Sequence, residues 1–427
     1  MSRYGRRVRC PRRRIARAGV TRMEVATVAA IGLVACVLAL PLVVEYREAA
    51  REAQCVQNLK TIGISMHTFA TMDPEERFLS GPMNPLTEGC PDLYGWPADM
   101  AAMAAGRAHE LRCPANPIGA TEALSQLLTA DFGRSTAPVD RRGKGFCNAL
   151  PVVGTPPDPL VLRERASKVA AKIRELGINT NYATSWHAAW SGVETTEVVQ
   201  NGRTYNVTEP GPYLAGSSRR KGSLRRRFVD QSDQASNAIA VLGDSANANR
   251  LRAAPLAFDV KLGDARLQAG QPVGAVMGEG PIQVDSKRGE LVPFIEATKI
   301  ENICFNKNPK VGRVLDDRTA ATLMPGTGTP GSHPTPVLLD TRHWAAVHRH
   351  RLNLLMADGS VRTVVDLNRD GYVNPGFHCP ASCPPTWFES QTGYKDGLVE
   401  IDATEVFMGV ALIEFRSHVG CCFGDCE

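Results

Sequence analysis

Val25 to Val44 is an unbroken run of 20 residues without a formal charge, and eight Arg and no acid stand in residues 1–19 ahead of it. As a helix the run is about 30 Å long, the thickness of a bilayer core. A basic flank holds the near end on the cytoplasmic side and sends the rest outward. The net charge of +5 belongs to the leader, because the remaining residues carry 41 basic and 44 acidic side chains, a net of −3. Such a body has no general excess of positive charge for phosphate contacts, so a general nucleic-acid binder is excluded. At 43% hydrophobic and 22% charged, the chain has the composition of a folded protein.

Three kinds of N-terminus share this pattern. A secretory signal peptide has a shorter apolar core and a small-residue cleavage site. Leu33-Val34-Ala35-Cys36 fits a lipid-attachment box, but apolar residues continue past Cys36 to Val44. The third kind is the class-three signal of type IV pilins and pseudopilins, which this segment resembles. Counted from Val20, Glu24 is fifth and Pro41 twenty-second, the places where that family has its Glu and its helix Pro. Val20, in place of the usual Phe, and Arg22 depart from its pattern. The resemblance implies cleavage between Gly19 and Val20, methylation of the new amine, and pairing of Glu24 with the amine of a neighbouring subunit. On physical grounds alone, Glu24 also suits a helix N-terminus.

Spacings of three and four at Tyr46, Ala49, Ala53, Val56, Leu59, Gly63, Met66 and Ala70 predict that the helix continues beyond the membrane with an apolar stripe. Met72-Asp73-Pro74 ends it. Asp158-Pro159 opens a second helix with Leu162, Ala166, Val169, Ile173 and Leu176 on one face, closed by Gly177. Downstream, Pro and Gly divide the chain into short strands. Leu352–Ala357 and Ser360–Val365 flank Asp358-Gly359, predicting a two-residue type I′ hairpin that sets Leu352 against Val365. Gly216–Arg227 reads as a solvated basic loop.

Several landmarks in order are similar to the planctomycete set of pseudopilin-like proteins with a prepilin-type cleavage/methylation N-terminus. These are Cys55 … Asn58-Leu59-Lys60-Thr61-Ile62-Gly63, Cys113-Pro114, Asn181-Tyr182, Ser236-Asn237-Ala238-Ile239 … Gly243-Asp244, and His348 followed after nine residues by Asp358-Gly359. The resemblance implies an α+β, pilin-like fold: a long N-terminal helix packed on an antiparallel sheet head with long loops. The expected organisation is a leader (1–19), a transmembrane and stem helix (20–72) and an exported globular domain (73–427). Turn chemistry explains Asp358-Gly359; the role of His348 is open.

Of twelve Cys, ten lie outside the leader and the membrane run, and an exported loop-rich fold makes disulfides the expectation, with Cys379, Cys383, Cys421, Cys422 and Cys426 stapling the C-terminus. A zinc cluster using Cys and His378 is the lesser alternative. Asp366, Asn368, Asp370, Tyr372 and Asn374 follow the alternation of a calcium loop of EF-hand or dockerin type, with Gly371 at the sharp turn. Phe377 stands where the closing carboxylate belongs, so an acid from elsewhere, such as Asp402, would have to close it. Calcium is thus the cofactor suggested ahead of zinc. Gly243-Asp244-Ser245 with Asp340 and His343 is similar to the nucleophile and Asp-x-x-His blocks of GDS-type esterases, but its mid-chain position and short spacing argue against it.

The expectation is therefore a structural, non-enzymatic pseudopilin-like subunit, single-pass in the inner membrane with its N-terminus cytoplasmic and its large domain periplasmic or surface-exposed. Prepilin peptidase and other pseudopilin subunits, or its own copies, are the implied partners in a type IV pilus or type II secretion pseudopilus. The alternatives are a non-polymerising envelope protein with a calcium- or ligand-binding head and, below it, the esterase.

Overall fold

The computed structural model describes residues 21–154, 158–191, 195–200, 203–208, 222–232, 234–248, 255–257, 259–262, 265–278, 280–284, 291–293, 311–312, 338–378, 385–402 and 405–408. Gly19, Val20 and the C-terminal cysteines fall outside them. The chain divides after Ala50 into an N-terminal unit and a head that begins at Arg51.

Helix α1 runs Arg22–Met72 with Pro41 inside it. Up to Val44 its large apolar side chains are exposed, and this is one helix long and apolar enough to cross a membrane. That is compatible with a membrane anchor or a signal sequence. From Cys55 onward α1 has a buried face of Cys55, Asn58, Leu59, Ile62, Gly63, Ser65, Met66 and Ala70. The stripe expected from spacing is buried at its far end, from Leu59 on, with Val56 half-buried, while Tyr46 at its near end is 82% exposed.

The head is α+β. Its main sheet has four antiparallel strands, β1 (Tyr182–Thr184), β2 (Ala240–Asp244), β3 (Arg351–Met356) and β4 (Val361–Val365), adjacent in chain order. It is a meander whose first two connections carry long insertions with small sheets of their own, among them Thr195–Gln200 with Arg203–Thr208 and Val260–Leu262 with Ala265–Leu267. Both faces of the sheet are covered. On one, Leu59, Ile62 and Met66 of α1 pack with Tyr182, Leu242 and Leu355. On the other, Ala183, Leu352, Leu354, Met356 and Val364 join Trp186 and Trp344. Each large apolar side chain of this kind contributes about 1.5–3 kcal/mol on burial.

The hairpin forms, but its register is one residue from expectation: Leu352 faces Val364 and Leu354 faces Arg362. The loop is Ala357-Asp358-Gly359, closed by Met356 N–H on Ser360 O, with Gly359 at φ +84°. A three-residue loop with glycine in the left-handed region replaces the two-residue turn, so Val364 turns inward and Val365 outward. Gly359 also lies against α1: a Cβ on Gly63 would stand 3.4 Å from Gly359 Cα.

The helix Pro159–Leu176 has the predicted ends, with Asp158 accepting from Leu160 N–H and Gly177 at φ +64°. Its buried face includes Arg165, which spacing did not indicate. The guanidinium donates to the carbonyls of Leu127, Ala130 and Pro151, closing the end of the Glu122–Thr129 helix. A disulfide joins Cys90 and Cys147. The described part of the basic loop is not merely solvated: Arg225 pairs with Glu75, and Arg226 donates to Thr71 Oγ1 and His67 O at the end of α1.

Candidate functional site

The sheet ends beside α1 in a buried polar cluster of Cys55, Cys113, Asp244 and His348, whose donor atoms all lie within 4.8 Å of one another. Each comes from a different part of the head. Cys55 opens the buried face of α1. Cys113 follows a short 3-10 turn, Ala108–Leu111, and its loop is clamped by Asn181, which accepts from Cys113 N–H and donates to Cys113 O, both at 2.9 Å. Asp244 is the last residue of β2 and sits opposite Tyr182. Gly243 before it is required locally, because a Cβ there would come within 2.8 Å of the Trp344 indole nitrogen. His348 closes a tight turn with Arg351, each N–H donating to the other's carbonyl, across Arg349 and His350 at φ +48° and +66°.

That turn explains the spacing of the His-to-Asp-Gly motif. His348 stands at the entrance of β3 and Asp358-Gly359 at its exit, so the nine intervening residues hold the turn, the strand and the start of the hairpin loop. One end meets Cys113 and the other meets Gly63 and His67 of α1.

Within the cluster His348 Nε2 lies 3.2 Å from Cys113 Sγ and 3.5 Å from Asp244 Oδ2. Cys55 Sγ is 3.6 Å from both Asp244 oxygens and from the Tyr182 hydroxyl. All four side chains are buried. The hydrogen bond with Cys113 pulls the Cys55 thiol down against its burial, while the same bond and burial push Cys113 up. Burial opposes the charge on His348, yet the bonds to Asp244 and Cys55 hold it up at about 10. Tyr182 is pushed up by burial and by its negative neighbours. Cys55 and Cys113 are both free thiols, against the expectation that exported cysteines pair in disulfides. The zinc-type donor set among the described residues is here and not around His378.

The calcium-like residues share one loop, but their oxygens are engaged by backbone. Asp366 accepts from Arg369, Asp370 and Gly371 N–H, and Asp370 from Tyr372 and Lys395 N–H. Asn368 bonds Asp396, and Asn374 caps Gly376 and Phe377. The acid that reaches in is Glu400, not Asp402: it accepts from Leu367, Asn368 and Asn374 N–H, and burial raises it to about 7.

The esterase residues make no triad. Ser245 donates to Ala275 O at 2.8 Å, and the Asp340 carboxylate, which burial alone would raise, is held low by Arg342. Among the described residues neither ring nitrogen of His343 has a hydrogen-bond partner at normal geometry, and burial lowers it to about 4 despite the nearby Asp340.

Glu24 is exposed and takes part in a reciprocal cap. Its carboxylate accepts from Thr21 N–H at 2.8 Å, and Thr21 Oγ1 accepts from Glu24 N–H at 3.2 Å.

Sequence reasoning found Cys55, Cys113, Asp244 and His348 only as separate landmarks. Nothing in the spacing of four residues so far apart shows that they meet; the one available signal was that all four carry metal-ligating chemistry.

No curated protein and no solved structure matches the chain. Residues 45–371 match the family SBP_bac_10, described as "Protein of unknown function (DUF1559)". The match covers well over half of the chain and contains the whole cluster, the sheet and the packed half of α1, so the protein belongs to this family.

Proposed function

We propose that the protein is a structural, non-enzymatic pseudopilin-like subunit, anchored by a single span in the inner membrane with its N-terminus cytoplasmic and its head exported. The observation that carries this reading is the division of α1: apolar and exposed through Val44, then packed on an antiparallel sheet from Cys55 on. A helix that has to lie in lipid at one end and form a domain core at the other suits a subunit stored in a membrane before assembly. Pro41 and Glu24 stand on the exposed part in the register that the pilin resemblance implies.

In this reading prepilin peptidase cuts between Gly19 and Val20 and the new amine is methylated. Glu24 then exchanges its contact with Thr21 for the amine of a neighbouring subunit. A carboxylate at the edge of an apolar span is costly when unpaired, which biases copies into register. The partners are that peptidase and other pseudopilin subunits or further copies of this chain, in a type IV pilus or type II secretion pseudopilus.

Intact-mass and peptide mass spectrometry of the protein from native membranes tests the reading. An N-methylated Val20 terminus is expected. An intact leader would replace the reading with a non-polymerising anchored envelope protein, and a lipid on Cys36 with a lipoprotein.

A further inference from the structure

We propose that Cys55, Cys113, Asp244 and His348 bind one zinc ion, a structural centre that ties the packed half of α1 to the sheet. The site does not depend on whether the chain is a pseudopilin.

The donor set comes first. Two thiols, one imidazole and one carboxylate make four ligands of the types that zinc takes in closed tetrahedral sites. Thiolates exclude calcium and magnesium, which prefer oxygen alone.

The distances point the same way. Charge-assisted N–H···O contacts close to about 2.7–2.9 Å when nothing intervenes. Here the imidazole and carboxylate stand 3.5 Å apart, and Cys55 Sγ stands 3.6 Å from the same carboxylate. Metal–ligand bonds of 2.0–2.3 Å in a tetrahedron give ligand–ligand edges of about 3.3–3.8 Å. The Cys113–His348 contact of 3.2 Å falls just short of that range, a few tenths of an ångström from a ligand edge. The imidazole–carboxylate pair is loose as a hydrogen bond, and the 3.5 and 3.6 Å contacts match the edges of ligands around a common centre.

Burial supplies the energetic reason. The four residues are 0–2% exposed. A buried pair of the Asp244 carboxylate with the His348 imidazolium at 3.5 Å recovers only part of its desolvation cost. A divalent ion bonds all four groups at once.

The surroundings already have the form of an outer shell, which orients ligands in metal sites. The Tyr182 hydroxyl lies 3.6 Å from Cys55 Sγ, where it can donate to a thiolate. Asn181 fixes the Cys113 loop, and Asn116 donates to Asn181 O and to Ser245 O, next to Asp244. The tight turn at Arg349 and His350 holds the imidazole ligand.

Binding is balanced by proton release. The two thiols give up their protons to solvent, and His348 gives up whichever proton Nε2 carries. Asp244 binds as carboxylate. No electron transfer is involved.

The rival use of the same residues is a Cys55–Cys113 disulfide, and the test separates the two. Full-length protein is extracted in detergent under anaerobic conditions without chelator. Elemental analysis should give about one zinc per chain, as for a closed structural site. Cobalt in place of zinc should give the intense visible bands of a tetrahedral thiolate site. In the wild type, Cys55 and Cys113 should resist alkylation until a chelator is added, while the Cys90–Cys147 bridge is unaffected. Cys113→Ser and His348→Ala should each lose the metal, whereas Cys36→Ser should keep it. Because the ligand variants could unfold, the wild-type cobalt spectrum and the alkylation pattern decide independently of them. A Cys55–Cys113 linked peptide in the native protein would overturn the proposal. So would two thiols that alkylate freely without chelator, or a cobalt spectrum of octahedral type.

Discussion

At the residue scale, single side chains decide how closely elements approach. Gly63 is a point of close approach between α1 and the sheet: a Cβ there would stand 2.9 Å from Leu355 Cδ1, in a core where Leu355 is fully enclosed. Gly63→Val is expected to destabilise the head by about 1–3 kcal/mol through overpacking, read by chemical denaturation. Asp99 is a second pressure point. Burial raises its carboxyl to about 7, although Ser80 N–H donates to it at 2.8 Å. A raised acid is protonated in the folded chain while ionised in the unfolded one, so stability falls as pH rises from about 4 to about 7 and then levels off. Asp99→Asn keeps the acceptor for Ser80 and removes the titration. Its denaturation midpoint is therefore expected to match the wild type near pH 4 and to exceed it increasingly up to pH 7, by up to roughly 1.4 kcal/mol per pH unit. A constant difference across that range would contradict this account of Asp99.

At the element scale, helix ends and turns were readable wherever the chemistry is local. Asp158-Pro159 and Gly177 bound their helix because a side-chain cap, a fixed φ and a left-handed glycine act within a few residues. The hairpin was readable for the same reason. Its register was not, because Asp-Gly fits both a two-residue turn and the last two places of a three-residue loop, and the choice falls to Gly359 lying against α1. Arg165 was missed since its role is tertiary, serving three carbonyls on neighbouring segments. Arg165→Met keeps the stem and removes all three bonds, and should cost about 3 kcal/mol or more by thermal or chemical denaturation. Arg165→Lys should recover only part of that, because an ammonium cannot present the same fork of donors.

The cluster shows the limit of linear reading most clearly. Gly243-Asp244-Ser245 looked like a nucleophile block, yet Asp244 turns toward Cys55 and the Ser245 hydroxyl donates a hydrogen bond to the Ala275 carbonyl. Successive residues of a strand face opposite ways, so adjacent letters describe two different environments. The closing acid of the 366–374 loop was sought at Asp402 and proved to be Glu400, a choice set by how the following segment passes the loop.

At the scale of the whole molecule, one helix is divided into an exposed apolar half and a half packed on the sheet. Composition made the first half legible, since 20 uncharged residues after a run of Arg have few other uses. The second half was legible only in part, because which face is buried depends on a sheet assembled from segments hundreds of residues away. The family match begins at residue 45, just past the apolar run.

The division of α1 is tested most directly by comparing the full chain with one that starts at Arg51, the first residue of the head. Membrane partition and thermal unfolding are followed for both. The full chain should sediment with membranes, and the shortened chain should leave them while keeping one cooperative transition within about 5 °C of the full-length value. A shortened chain that still sediments with membranes, or one with no cooperative transition, would contradict the account.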